Sequence, residues 1–279
     1  MRGMIELIVK QYIASDTHMH EPSLNAYLVV SSLFRLFRCK KILDVGSGYG
    51  FGSYIIKLLN DDAIVTGVDI SDDRIEHSKS KFSEVGLSFI KANIVSKHDW
   101  IKRVGKGFDC VSCIEVFEHI PPEDIVQCLS NIRQATSHKA VMVMTTPNKY
   151  IYDVFSCTQD HINEVTPSIL LKILRENGFK VIKVYGLGRI SRKYVKLVYK
   201  HRLHRREERQ CLRQNTTQKI IWHIISLIFN PTMYIPNILS RILKYDIIKR
   251  KARLRFYNVN QEPYMSEYVM VIAMKRFNS

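Results

Sequence analysis

Long apolar runs are missing from this 279-residue sequence. The most extended one, at residues 220–229, has ten residues, whereas a helix needs about 20 apolar residues to cross a bilayer. The first residues also lack the apolar stretch and the cleavage site of a signal peptide. We therefore expect a cytoplasmic protein. Internal repeats and low-complexity tracts are absent as well, which argues against a repeat protein.

Cysteine shows no pattern that would indicate a disulfide framework. The sequence contains six cysteines: Cys39, Cys110, Cys113, Cys128, Cys157 and Cys211. They are scattered along the chain, and we interpret them as reduced thiols. Cys110 and Cys113 form a CxxC pair, but they fall in an apolar run typical of a strand, where residues three apart point to opposite faces. We therefore expect two core thiols there and no zinc site.

Negative charge is scarce, and the deficit is local. The chain has 42 Lys and Arg against 26 Asp and Glu, which gives a net charge of +16. Residues 189–255 contain 18 of the basic residues and three of the acidic ones, so this segment carries 15 of the 16 net charges. The rest of the chain is nearly neutral, and a hydrophobic content of 46% allows a sizeable core. The sequence thus predicts a folded body with one strongly basic segment.

Short apolar runs alternate with segments of helical character along much of the chain. The runs that we assign to strands are residues 42–46, 64–69, 87–92, 109–114, 140–146, 179–186 and 267–276. Strands that alternate with helices are typical of βαβ units. The predicted fold class is therefore α/β, with a doubly wound parallel sheet.

This alternation divides the chain into four segments. We predict a helical lead-in over residues 1–40, a core over residues 41–188, a basic amphipathic helical insertion over residues 189–260 and a final core strand within residues 261–279. The helix before the strand at 179–186 has the clearest end signals, because Thr166 suits an N-cap, Pro167 the first helical position and Gly178 a C-terminal stop. Its predicted buried stripe is Ile169, Leu170, Ile173 and Leu174.

A glycine-rich turn follows the first predicted strand. Gly46, Gly48, Gly50 and Gly52 stand at alternate positions before a helix, and glycine lets a backbone adopt positive φ and approach a ligand closely. A dinucleotide-binding fingerprint would need a glycine where Phe51 stands, and a P-loop would need a lysine that is missing. The turn therefore fits neither an NAD site nor a nucleoside triphosphate site.

With the strand before it, this turn resembles motif I of class I S-adenosylmethionine (SAM) dependent methyltransferases. Motif I is an acid followed by G-x-G-x-G, here Asp44, Gly46, Gly48 and Gly50. The resemblance implies a mostly parallel, seven-stranded, Rossmann-like sheet that ends in an antiparallel pair. It also implies that the region of Asp44 holds the methionine amino group and that the glycines make room for the cofactor. The positive amino group and the ribose diol of SAM suit carboxylates.

Later segments resemble the same family in the same order. Asp69 ends the second predicted strand, 19 residues after the last glycine of motif I, and an acid at this position reaches ribose hydroxyls in this topology. Asn93 and Ile94 follow the third strand, where the family often has an acid that meets the adenine amino group. An amide oxygen can also accept that hydrogen bond. Residues 108–121 resemble the fourth-strand motif, which implies that Glu115 lies beside the methionine end of the site.

Acidic and histidine residues close to that motif are candidates for chemistry. Glu115, Glu118 and His119 share one face if the chain is helical there, and with His161 they offer oxygen and nitrogen ligands for a divalent metal. This set resembles the metal site of small-RNA 2′-O-methyltransferases and the ExxEH run of ubiquinone-pathway O-methyltransferases. Alternatively, Glu118 and His119 only line the mouth of the site. A general base for a hydroxyl acceptor would be His119 or His161, or no base is needed.

The basic segment has three interpretations. Residues 220–229 are apolar, residues 238–247 place aliphatic and basic side chains on different sides, and residues 249–255 are strongly basic. This pattern is typical of helices that lie on an anionic membrane surface, so we favour membrane docking through residues 190–255. RNA binding explains the charge but not the aliphatic residues. The third interpretation is a helical lid with a solvated basic face.

These observations together predict a SAM-dependent methyltransferase. We expect transfer to oxygen of a small-molecule, lipid-linked or glycan acceptor, by a cytoplasmic protein that docks peripherally on the inner face of a membrane. An RNA methyltransferase is the alternative. A non-catalytic membrane or RNA adaptor is the competing class, and the intact glycines and acids argue against it, because an adaptor has no need of groups that hold a ribose diol.

Overall fold

The computed structural model describes residues 21–149, apart from residues 83, 85 and 98, together with residues 161–187 and 268–276. These residues form one seven-stranded sheet. Its strands are β1 (Lys41–Val45), β2 (Ile64–Asp69), β3 (Leu87–Lys91), β4 (Phe108–Ile114), β5 (Thr136–Pro147), β6 (Phe179–Leu187) and β7 (Tyr268–Lys275).

The strand order is β3-β2-β1-β4-β5-β7-β6. Strands β1 to β5 are parallel to their neighbours in this group, and β7 lies antiparallel between β5 and β6. The predicted mostly parallel sheet with an antiparallel final pair is therefore confirmed. The strand order reverses between β1 and β4, and in such sheets the loops after the carboxyl ends of the strands form a crevice at that point.

Helices cover both faces of the sheet. They are α1 (Glu21–Leu36), α2 (Phe51–Leu59), α3 (Asp72–Lys81), α4 (Trp100–Val104), α5 (Ile125–Ala135) and α6 (Pro167–Glu176). Leu24, Ile55 and Ile75 place α1, α2 and α3 in one hydrophobic core, while Leu129 and Leu174 place α5 and α6 in the other. Because successive strand residues point to opposite faces, each strand supplies side chains to both cores. The predicted doubly wound arrangement is confirmed.

Helix α6 follows its sequence signals closely. The Thr166 hydroxyl accepts a hydrogen bond from the backbone N–H of Ile169 at 3.4 Å, and Gly178 adopts a φ of +82° just beyond the helix. The predicted buried stripe is wrong at Ile169, which is 48% exposed. Leu171 is buried instead, because the face of α6 that meets the sheet is centred on Leu170 and Leu174.

A disulfide corrects the prediction for two of the cysteines. Cys39 precedes β1, Cys110 lies in β4, and the two are joined with their Cα atoms 5.9 Å apart. They meet because β1 pairs with β4, in a register that sets Ile42 opposite Cys110. Cys113 and Cys128 are free and buried, as expected. Cys110 and Cys113 also lie in opposite cores, as their spacing predicted.

Several predicted segments fall outside the described residues. Of the lead-in, residues 21–36 form α1 and residues 1–20 are outside. The basic insertion at 189–260 is also outside, so its helices and its membrane docking stay predictions. Among the helices that the structure describes, none is long and apolar enough to cross a membrane.

Candidate active site

The glycine turn lies at the carboxyl end of β1, where the strand order reverses. Gly46, Gly48 and Gly50 all adopt positive φ, at +69°, +54° and +85°. A Cβ at Gly46 would lie 2.3 Å from Cγ2 of Val116, whereas a Cβ at Gly48 would meet nothing within 4 Å. Gly46 is therefore required for packing, and Gly48 faces open space beside the loop.

Two features of this loop suit a bound cofactor. The open side of Gly48 leaves its backbone accessible to a ligand. The Ser47 hydroxyl oxygen is buried and has no hydrogen-bond partner among the residues that the structure describes. Buried polar atoms in native proteins are nearly always hydrogen-bonded, so an unpartnered one beside an open loop fits a ligand group.

Asp44, near the end of β1, forms hydrogen bonds that link the elements around the glycine loop. It is fully buried, and its carboxylate accepts hydrogen bonds from Ser53 at 2.6 Å, Ser112 at 2.7 Å and Tyr27 at 3.2 and 3.3 Å. These donors connect β1 with α2, β4 and α1. Sequence reasoning missed all three donors, which become neighbours only through the parallel register and the packing of α1. A direct contact between Asp44 and a cofactor stays a prediction.

Burial raises the pKa of Asp44 from 3.8 to about 6, against the opposing effect of its three hydroxyl donors. The folded protein therefore holds this proton more tightly than the unfolded chain does. We expect the free energy of unfolding to fall by about 3 kcal/mol from this group alone as the pH rises from about 3, below the unfolded pKa, to about 7, above the folded one. Asp44→Asn should lack this part of the fall, and urea denaturation of both proteins across that range measures it. Parallel stability curves for the two proteins would contradict the assignment.

Asp69 lies at the predicted place, where β2 ends beside the loop. One carboxylate oxygen accepts a hydrogen bond from the Gly48 N–H at 2.9 Å, and the other accepts one from the Ser71 N–H at 3.0 Å. The guanidinium of Arg74 is 3.8 Å away. A carboxylate has about four acceptor positions, so Asp69 keeps capacity for further donors such as ribose hydroxyls.

The loop after β3 adjoins Asp69. The Ala92 N–H donates to the Asp69 carbonyl oxygen at 3.0 Å, and the Asn93 side-chain oxygen accepts a hydrogen bond from the Val95 N–H at 3.1 Å. Asn93 is exposed and Ile94 is half-buried. The amide oxygen of Asn93 thus shapes the loop and still has a second lone pair for a ligand.

The acids after β4 occupy different environments. Glu115 has a φ of +56°, so the helical condition for a shared face with Glu118 and His119 does not hold. Its carboxylate accepts a hydrogen bond from the Thr145 hydroxyl at 2.7 Å. Glu118 is fully buried, and one of its oxygens accepts a hydrogen bond from the Thr146 hydroxyl at 3.0 Å. Its other oxygen is buried without a partner in the described part of the chain.

Two imidazoles complete a cluster at this edge. Ligand atoms of Glu118, His119 and His161 all lie within 4.8 Å of one another, and the two rings are 5.0 Å apart. Glu164 lies 3.0 Å from Nδ1 of His161. The structure therefore brings together three of the four predicted metal ligands, with Glu115 nearby. Glu164 was missed, and its spacing from His161 was no signal for the contact, because residues 161–166 form no helix.

Burial and neighbouring negative charge raise the pKa values of the two carboxyl groups near these imidazoles. Burial raises the pKa of Glu118 to about 7. Burial and the charge of Glu118 together raise the pKa of Glu115 well above its usual range. One buried and one half-buried carboxyl group beside two imidazoles suit a divalent cation, because a cation offsets the repulsion between the carboxylates and mixed oxygen and nitrogen donors are ordinary ligands of transition metals.

Comparison with known proteins agrees with this geometry. Residues 43–142 match the family model described as Methyltransferase domain. The chain is 28% identical over 159 residues to a ubiquinone biosynthesis O-methyltransferase of Colwellia psychrerythraea, an alignment that covers 53% of this chain and 63% of that protein. The match thus spans less than two thirds of the relative's length.

Solved structures share the fold. A SAM-dependent methyltransferase from Archaeoglobus fulgidus has a TM-score of 0.51 and 20% identity, over 89% of this chain and 94% of that one. The O-methyltransferase of a Brevibacillus brevis polyketide synthase, in complex with S-adenosylhomocysteine, has a TM-score of 0.52 and 12% identity, over 91% and 72% of the two chains. This chain thus shares its fold with these SAM-dependent methyltransferases, and its residues 43–142 match the family model of a methyltransferase domain.

Proposed function

We propose that this protein is an enzyme that transfers a methyl group from SAM to a hydroxyl oxygen of a small-molecule or lipid-linked acceptor. The observation that carries the proposal is the proximity of Glu118 and His119, which follow β4, to His161, which follows β5. These residues lie past the carboxyl ends of parallel strands, as the glycine loop does. A cofactor loop and a group of proton acceptors or metal ligands on one edge suit activation of a hydroxyl.

The residues of the crevice fit the parts of the cofactor. When bound, SAM supplies an electrophilic methyl group on a positively charged sulfonium. Asp69 would accept hydrogen bonds from ribose hydroxyls, the backbone at Gly48 would border the cofactor, and Asn93 and Ile94 would meet the adenine. Glu115 would contribute negative charge at the methionine end.

Methyl transfer to oxygen requires removal of a proton, and the Glu118 cluster can assist this step. A hydroxyl must lose its proton as its oxygen forms the new bond to carbon. A divalent cation held by Glu118, His119 and His161 would lower the pKa of a hydroxyl bound to it. Without a cation, either imidazole can accept the proton. The name of the Colwellia relative supports oxygen as the acceptor atom.

The acceptor class rests on sequence more than on structure. The aliphatic and basic pattern of residues 190–255 supports docking on an anionic membrane surface and hence a lipid-linked acceptor. The same charge supports the second candidate function, methylation of RNA.

Transfer of a labelled methyl group separates these functions. The protein would be incubated with methyl-labelled SAM and, in separate reactions, a total bacterial lipid extract and total RNA. We expect label in the organic phase. Label in the RNA would instead support the second candidate function, methylation of RNA. No label in either reaction, in a protein that binds S-adenosylhomocysteine, would rule out lipid-linked and RNA acceptors and leave a water-soluble small molecule or the non-catalytic adaptor.

Asp69→Ala tests the assignment of the ribose acceptor. We expect S-adenosylhomocysteine affinity to fall by about 1–3 kcal/mol, because the variant loses hydrogen bonds to a charged acceptor. Asp72→Ala is the matched control, since Asp72 lies three residues further on and pairs with the exposed Lys91. Calorimetric titration of both variants makes the comparison. Equal affinities would remove Asp69 from the cofactor site.

A further inference from the structure

A buried asparagine on α5 is bonded to the loop after β3. Asn131 is 1% exposed, and its side-chain amide donates to the carbonyl oxygens of Ile94 at 2.6 Å and Ser96 at 2.8 Å. Its side-chain oxygen accepts a hydrogen bond from Gln127 at 2.9 Å. The two carbonyl partners fix the orientation of the amide, since only its nitrogen can donate to them.

The position of Asn131 is unusual for its helix. The other buried side chains of α5 are almost all apolar, as Ile125, Leu129 and Ile132 illustrate. A buried amide stabilises a protein only when its polar atoms are paired. Both polar atoms of the Asn131 side chain have hydrogen-bond partners. The two hydrogen bonds that its amide donates reach a segment more than 30 residues away in sequence. The residue therefore connects α5 to the loop rather than filling the core.

The same residue also fixes the far end of that segment. The indole N–H of Trp100, at the start of α4, donates to the backbone carbonyl oxygen of Asn131 at 2.9 Å. At the near end, the Ala92 N–H donates to the Asp69 carbonyl oxygen at 3.0 Å. Between these points Asn93 forms a tight turn, in which its own carbonyl oxygen accepts a hydrogen bond from the Ser96 N–H at 3.0 Å. Asn131 thus holds the loop from its buried side, while Asn93 lies on the exposed side of the same loop.

We propose that Asn131 is a positioning residue for recognition of the adenine base. The proposal rests on the proposed SAM site, in which Asn93 and Ile94 meet the adenine. Adenine presents an amino donor where hypoxanthine presents an oxygen. Selection between these bases depends on an acceptor placed within hydrogen-bonding distance of that position. In this site the acceptor is the side-chain oxygen of Asn93. Asn131 keeps it in place by holding the carbonyl groups of Ile94 and Ser96 on the same loop.

Two cofactor analogues test this role. Calorimetry would compare the affinities of S-adenosylhomocysteine and S-inosylhomocysteine, which differ only in the base. Asn131→Asp replaces the amide donor by a group of the same shape, and Asn131→Ala removes it. We expect both variants to bind S-adenosylhomocysteine about tenfold more weakly than the wild type. The preference for the adenine compound should fall by a similar factor.

Asn60 provides the matched control. It is also a buried asparagine, and its amide donates to the carbonyl oxygens of Ser31 at 3.1 Å and Ile56 at 2.9 Å. These bonds tie the end of α2 to α1, away from the loop after β3. Asn60→Asp should lower the midpoint of thermal unfolding as Asn131→Asp does, while leaving the preference between the two analogues unchanged.

The possible results distinguish failure of the role proposed for Asn131 from failure of the proposed SAM site. If folded Asn131 variants keep the wild-type preference for adenine, the positioning role is wrong. If the Asn60 variant loses the preference as well, the effect is one of general stability and the role is again wrong. If the wild type binds neither analogue, the cofactor assignment fails instead, and the carbonyl contacts of Asn131 are only structural.

Discussion

Gly52→Ala will destabilise the protein by about 2–4 kcal/mol and will displace Tyr27 from Asp44. A Cβ at Gly52 would lie 2.1–2.4 Å from ring atoms of Tyr27, which is far inside van der Waals contact. Tyr27 is buried on α1, and its hydroxyl donates to Asp44. Because the ring is buried, moving it away from the new methyl group disturbs both the core around it and its hydrogen bond to Asp44. Chemical denaturation of the variant measures the cost.

A double-mutant cycle identifies the cause of this loss. In a Tyr27→Ala background the ring is gone, so adding Gly52→Ala should cost less than about 1 kcal/mol. Gly48→Ala is a second comparison, because a Cβ there would meet nothing within 4 Å and would introduce only backbone strain. Additive effects of the two substitutions would mean that Gly52 is required for a reason other than its contact with Tyr27.

His119→Ala and His161→Ala will each weaken binding of Mn²⁺ by about 100-fold or more. With Glu118, these imidazoles form the cluster whose ligand atoms lie within 4.8 Å of one another. Loss of one ligand from so small a set leaves too few donors for a stable site. Titration with Mn²⁺, followed by calorimetry or electron paramagnetic resonance, measures binding directly and needs no acceptor substrate.

Two further variants refine the metal test. Glu164→Gln should cost a smaller factor, about 10-fold, because Glu164 contacts His161 and orients its ring. His77→Ala is the control, since His77 is exposed and packs against Tyr49 outside the cluster. If the wild-type protein binds no divalent cation, the metal proposal is wrong and the imidazoles are left as candidate bases.

The parts of the site that could be predicted are those set by local sequence. Motif I needs glycine because of backbone conformation at single positions, as the φ of +85° at Gly50 illustrates. Asp69 could be placed because the end of a strand is recognisable from its own residues and the topology then fixes which loop it meets. The cap of α6 at Thr166 is equally local. Such features depend on a few neighbouring residues and can be read directly from the chain.

The parts that were missed depend on which strands and helices become neighbours. The disulfide joins Cys39 to Cys110 across 71 residues, and Ser112 reaches Asp44 only because β4 pairs with β1 in one register. Nothing in the local sequence of α5 indicates that Asn131 reaches the loop after β3. Contacts of this kind follow from the three-dimensional register, which residue spacing alone does not contain.

Binding of SAM in the crevice between β1 and β4 underlies both the proposed methyl transfer and the role of Asn131. Calorimetric titration of the protein with S-adenosylhomocysteine, beside NAD as a control, measures this binding without an acceptor substrate. We expect the homocysteine compound to bind at one site per chain and NAD not to bind. Binding of NAD alone, or of neither compound, would contradict the assignment of this crevice to SAM.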